Sequence, residues 1–288
     1  MIAVLLLWVG GLSALPLNRV STLSQSPTGQ SLYYCPVHPD QRAGAAVPCG
    51  VCGTRMVKLP PARFDTYPVD FRVTATTSGA RLRLAVQDPR RRVTARTFAI
   101  VHERPMHLFV VSEGLDFFAH EHPLQQPDGV FMIDLTLPRA GAYMAIAEFL
   151  PEGGTPQTFQ QMFTTGAAFG GTAAPAVDLA PKTVGGARVS VDASQVKAGE
   201  MRPLVVRIED AATGARVTDL QPYLGAAAHL LVVSTDLTEA IHGHPDGPFV
   251  EPGITFTPLM PRPGRYKAWM QFQRGGTVST VSFVIDVN

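Results

Sequence analysis

All three cysteines of this 288-residue chain fall within YYCPVHPDQRAGAAVPCGVC, Tyr33 to Cys52, beside one histidine. Their spacing is Cys35-x2-His38, ten residues, then Cys49-x2-Cys52. Two such knuckles, each closed by a tight turn, can set three thiolates and one imidazole at the corners of a tetrahedron. That is the geometry of a closed zinc site, and it suits other soft metals. Pro36, Pro39 and Pro48 stiffen the flanks, while Gly50 and Gly53 let the backbone turn close to sulfur. The alternative, a lone Cys49–Cys52 disulfide, leaves Cys35 odd and His38 without a role. A segment this short builds no core of its own, so a metal would be its staple.

Six of the remaining histidines lie in a duplication. HLFVVSEGLDFFAHEHP begins at His107 and HLLVVSTDLTEAIHGHPDG at His229, so His107, His120 and His122 match His229, His242 and His244, with equal separations of thirteen and two. The match extends outward: Asp88 aligns with Asp210, PRAGAYMAIAEF with PRPGRYKAWMQF, and Gly153-Gly154 with Gly275-Gly276. In an extended strand His120 and His122 share a face. A strand, turn and short helical bend, capped by Ser112 and Ser234, returns His107 to that pair. Three imidazoles then converge at one end of each unit, a set that suits copper(II), zinc or nickel with a position left open. His102 lies outside every set and is read as a surface residue.

Tyr34-Cys35-Pro36-Val37-His38-Pro39, followed by Cys49-Gly50-Val51-Cys52-Gly53, resembles the small heavy-metal-binding domain at the ends of copper-transporting P-type ATPases and of periplasmic adaptor proteins in heavy-metal efflux pumps. The likeness covers about residues 32–60. Val37 and Thr54 stand where that family has methionine, and Met56 lies two positions on. The resemblance implies metal binding, with copper or zinc ions as cargo and an efflux pump or P-type ATPase as partner. The duplicated units are similar to the immunoglobulin-like or cupredoxin-like modules of exported copper-handling proteins. Neither unit has the cysteine that a type 1 copper site needs.

The elements that must position these donors are short strands. Gly 26 and Pro 25 punctuate runs such as RLRLAVQD, VFMIDLTLP and TVSTVSFVIDV, which predicts a mainly β chain. The expected fold is a small metal-stapled knuckle followed by two tandem antiparallel β-sandwich, immunoglobulin-like domains. The expected boundaries are 31–60 for the knuckle, 61–168 for the first sandwich, 169–185 for a linker and 186–288 for the second sandwich. Tyr143 and Tyr266, matched across the repeat, read as tyrosine corners. Met106, Met132, Met144 and Met162 read as gap-filling core.

Residues 1–20 open with an apolar stretch from Ile2 to Leu15, too short for a comfortable membrane span and suited to a signal peptide, cleaved near Ala14 or kept as an anchor. That places the protein in the periplasm or outside the cell, with the membrane touched only through such an anchor. A net charge of +1 excludes a nucleic-acid partner. The expected function is an exported heavy-metal-binding protein serving resistance, sequestration or delivery, not an enzyme. The alternatives are a metalloenzyme built on a three-histidine metal centre and a structural adaptor of a metal efflux system.

Overall fold

The computed structural model describes residues 33–38, 41–59, 65–166, 173–247 and 253–288, all strand, turn and coil among those residues. The N-terminal segment read as signal peptide or anchor lies outside the described residues. Three two-residue strands, β1 (Tyr33–Tyr34), β2 (Arg42–Ala43) and β3 (Val57–Lys58), form the knuckle in the order β2-β1-β3. Its buried apolar content is Tyr34, Cys35, Cys49 and Met56, the last three packed as one cluster.

The first sandwich has two sheets. One runs β4 (Val69–Thr76), β5 (Gly79–Val86), β9 (Phe131–Thr136), β8 (Leu124–Gln125). The other runs β11 (Gln157–Thr165), β10 (Gly141–Phe149), β6 (Met106–Ser112), β7 (Phe118–Glu121). Leu82, Leu84, Phe131, Leu108, Val110 and Tyr143 fill the space between them. The second sandwich repeats the plan. Its sheets are β12 (Lys182–Val184), β13 (Ala187–Asp192), β14 (Leu204–Asp210), β18 (Ile254–Phe256) and β15 (Leu220–Gln221), β19 (Gly264–Arg274), β16 (His229–Ser234), β17 (Ala240–Gly243), with β20 (Thr277–Val287) also paired to β19. Two tandem antiparallel β-sandwiches are therefore the fold. Within the stretch read as a linker, β12 pairs with β13 and Asp178 bridges Val284, so residues 173–185 reach into the second sandwich.

The two sandwiches also share a third core. Side chains alternate along β6: Met106, Leu108 and Val110 point into the first sandwich, whereas Phe109 and Val111 point out of it. Along β16, Leu230 and Val232 point in and Leu231 and Val233 point out. These outward faces, with Leu115, Met144, Ile146 and Trp269, pack against one another. Trp269 stacks on Phe118 at 5.3 Å between ring centres. That is why HLFVVS and HLLVVS read as unbroken apolar runs: both strands are buried on both faces.

Tyr143 and Tyr266 donate to the carbonyls of Arg139 and Arg262 at 2.6 and 2.8 Å, closing matched corners. Met106 and Met144 are core, but Met162 is exposed on edge strand β11 and fills no gap. The bends after Ser112 and Ser234 are tight turns rather than helical. Each serine hydroxyl accepts from backbone amides of the turn, those of Asp116 and Phe117 in one case and Thr238 and Glu239 in the other.

Candidate metal centres

The knuckle gathers Cys35, His38, Cys49 and Cys52, one donor atom from each lying within 4.8 Å of the others. The Cys35 and Cys52 sulfurs are 3.7 Å apart, and His38 Nδ1 is 3.8 Å from the sulfurs of both Cys35 and Cys49. Tetrahedral bonds of about 2.3 Å from zinc to sulfur put two sulfurs about 3.8 Å apart, so the donors fit such an ion. All three cysteines are free thiols. Burial pushes the Cys35 thiol up to about 12. Burial also raises the Cys49 thiol, but the backbone N–H groups of Cys52 and Val51 and the neighbouring thiols outweigh it and leave the group below its ordinary value. The site thus holds a mixed, proton-sharing set of thiols that a cation would turn into thiolates.

The seven other histidines meet where the two sandwiches join, instead of forming a separate triplet at the end of each. His107, His120 and His122 come together as one set, with donor atoms within 4.8 Å. The hairpin β6–turn–β7 does this, because reversing at Ser112–Phe117 lays His120 across from Phe109, beside the start of β6. In the second half the grouping differs from the repeat pattern. His229 and His244 are joined by His102, and His242 is turned toward Glu148. His102 is not a surface residue; it is 3% exposed and stacks on His244 at 3.7 Å between ring centres. It sits in a tight turn, Val101 to Arg104, whose two central residues have positive φ, at 47° and 66°. The second half has the same turn at Tyr223–Ala226, with Leu224 in place of the histidine.

Hydrogen bonds fix which nitrogen carries a proton in five of these rings. A carbonyl oxygen only accepts, so a ring nitrogen facing one must be N–H. His107 Nε2 donates to Val101 O at 3.0 Å, His229 Nε2 to Tyr223 O at 2.8 Å, and His102 Nδ1 to Leu224 O at 3.1 Å. His120 Nδ1 donates to Gln271 Oε1 at 2.8 Å; the Gln271 amide is oriented by its own N–H to Thr280. His242 Nδ1 donates to Glu148 Oε2 at 2.7 Å. In neutral rings the remaining nitrogens carry lone pairs. The lone pairs of His107 Nδ1 and His120 Nε2 then face each other at 3.1 Å.

Burial keeps these rings neutral. It lowers His102, His107 and His122 to about 4 and His120 to about 2, with further depression by positive neighbours, His242 foremost for His102, His107 and His120 and His107 foremost for His122. His229 and His244 are held well below their ordinary value, again by burial first and then by the charge on His242. Burial raises Glu148, but the charge and hydrogen bond of His242 prevail and lower it overall. Two lone pairs at hydrogen-bond distance repel unless a proton or a cation lies between them, and a proton is disfavoured here. In addition, the Nε2 atoms of His102, His122 and His244 are buried without a hydrogen-bond partner.

A cavity of about 480 Å³ opens onto this cluster and is lined by His38 as well as His102, His107, His242, His244 and Glu148. A family model described as a domain of unknown function (DUF8832) matches residues 182–288, the second sandwich. No curated protein matches the chain. Among solved structures the chain is similar to a two fibronectin type-III domain segment from chicken tenascin, at 16% identity and a TM-score of 0.22, covering 77% of this chain and 99% of that one. It is also similar to the FN1-FN3 domains of chicken CNTN1, at 10% identity and a TM-score of 0.22, covering 81% and 71%. None of these descriptions names a ligand or an activity.

Sequence reasoning did not find His102, Glu148 or Gln271. A signal for the last two was present: they occupy the same place in EFLPEGG and QFQRGG, each a polar residue between two apolar ones, Ala147 and Phe149 in one case and Met270 and Phe272 in the other. His102 had no such signal, because its repeat partner is Leu224.

Proposed function

We propose that this is an exported carrier of a soft or borderline transition-metal cation, copper or zinc, acting in metal resistance, sequestration or delivery. One observation carries the reading. The inward nitrogens of His107 and His120 are both lone-pair acceptors at 3.1 Å, each fixed by a hydrogen bond from its other nitrogen. Metal-ligating histidines have this arrangement, the outer N–H tied to a carbonyl, amide or carboxylate and the inner nitrogen free. His102 and His229 follow it in the second set. Imidazoles suit copper and zinc, and the knuckle adds a sulfur-rich site of the same preference. Export rests on the apolar N-terminal stretch, and a P-type ATPase or efflux pump as partner rests on the knuckle's resemblance.

Elemental analysis of the full chain after loading with zinc or copper(I) and desalting tests the reading. One ion at each of the three donor groups is expected. His102→Ala should remove one of them and His122→Ala another. A chain that keeps no metal, or variants that keep all of it, would sink the proposal.

A second reading, a metalloenzyme, draws on Glu148 beside the imidazoles in an open cavity. Its carboxylate is engaged by His242 and its proton affinity is lowered, which makes it a weak general base. Metal-dependent turnover of an ester or phenol that vanishes in Glu148→Gln would favour this reading over carriage.

A further inference from the structure

The knuckle and the imidazole cluster are far apart in sequence yet open onto one cavity. His38 has two roles in it. Its Nδ1 faces the Cys35 and Cys49 sulfurs, and its ring helps line the wall that His102, His107 and His244 also line. The two sites differ in access. On the knuckle Cys35 and Cys49 are buried, but the donors Cys52 and His38 are partly exposed beside exposed Gly50 and Val51, whereas His102, His107, His120 and His229 are buried. They differ in charge as well. Thiols become anions on meeting a cation, whereas imidazoles bind it as neutral donors, and the His242–Glu148 hydrogen bond stands beside them. A cation arriving from solution therefore meets a partly exposed, charge-compensating site first and a more deeply buried, neutral one second.

We propose that the knuckle is the entry port of the imidazole centre: a soft or borderline cation caught by Cys35, His38, Cys49 and Cys52 crosses the shared cavity and is taken over by His102, His229 and His244. The step is ligand exchange. Three bonds from imidazole nitrogens to the ion form as three of the four knuckle bonds break, and a water molecule takes the place of the fourth. The ion keeps its oxidation state, and the released thiolates take protons from water. The inference rests on the metal-binding reading above and adds the route.

Cobalt(II) added to the full metal-free chain reads the route, because sulfur ligation gives a charge-transfer absorption that imidazole ligation lacks. Two variants address it. Cys49→Ser removes a knuckle thiolate. Thr158→Trp fills the cavity from an exposed position on β11, opposite Glu148, and leaves every donor in place. A knuckle-bound ion sits beside the cavity at an effective concentration on the order of millimolar, so at micromolar cobalt both variants should load the imidazoles about tenfold more slowly or worse. Their final imidazole occupancy should match the parent chain. The sulfur absorption of Thr158→Trp should stay intact, which shows that its knuckle is folded. An unchanged loading rate in either variant overturns the route while leaving metal binding standing. A parent chain whose imidazoles take up no cobalt at all overturns both.

Discussion

Glu148 and Gln271 hold the same position in the two repeats, and each accepts a hydrogen bond from a histidine of the opposite sandwich, His242 at 2.7 Å and His120 at 2.8 Å. The bonds are reciprocal, as at a two-fold interface formed within one chain. Their chemistry has diverged: one acceptor is a carboxylate and the other an amide. Truncating either acceptor leaves a buried N–H unpaired, so Gln271→Ala should lower the unfolding free energy by about 1–3 kcal/mol. Urea unfolding measures it, and a loss well below that range would show that the bond does not tie the halves.

His122→Ala should separate stability from binding. His122 Nε2 has no hydrogen-bond partner to lose. The metal-free variant should unfold within about 0.5 kcal/mol of the parent, like a substitution that disturbs no buried network. Its affinity for zinc at the first imidazole set should fall by tenfold or more, about 1.4 kcal/mol. Denaturant melts beside competition titration check both halves of the statement.

Acidification should destabilise the metal-free protein in a defined window. The unfolded chain's histidines take up protons near pH 6.5, whereas His102 and His107 stay neutral to about 4 and His120 to about 2. Between those limits the unfolded state binds more protons, so stability is fully present above about pH 7 and falls as pH drops toward 4. Each buried ring accounts for up to about 1.4 kcal/mol per pH unit. Zinc, which binds the neutral rings, should move the onset to lower pH. Thermal melts at several pH values, with and without zinc, read this directly.

Trp269→Ala should act on both halves at once. Its indole lies in the core shared by the sandwiches, stacked on Phe118. A cost of about 3–5 kcal/mol is expected from the cavity alone. Because both imidazole sets lie at the same junction, zinc uptake there should weaken too, while the knuckle's sulfur-to-cobalt absorption is unchanged.

Chelation should melt the knuckle and spare the sandwiches. Its strands are two residues each and its buried apolar side chains are Tyr34, Cys35, Cys49 and Met56, too few to hold it without a cation. Brief proteolysis of chelated protein should cut between residues 41 and 59 and leave the sandwiches whole. Resistance there in the presence of chelator would show that the knuckle stands by itself.

Much of this was legible in order along the chain. The two-residue spacings of the knuckle survive folding because a tight turn converts sequence distance directly into space. The paired separations of thirteen and two did the same for His107, His120 and His122, since a hairpin is a local structure. The regrouping of His102 with His229 and His244 was not legible. It depends on which faces of two sheets meet, and no local period encodes that choice.

The sequence alone determined the donors, their chemical types and the short strands that carry them, because residue identity and turn spacing act over a few positions. Only the tertiary structure decided that two sandwiches bury their outer faces against each other and merge two expected triplets into one seven-imidazole cluster under a cavity shared with His38. The physical reason is that burial and cross-sheet hydrogen bonds depend on contacts more than a hundred residues apart, which set both the neutrality of the rings and the direction of their lone pairs.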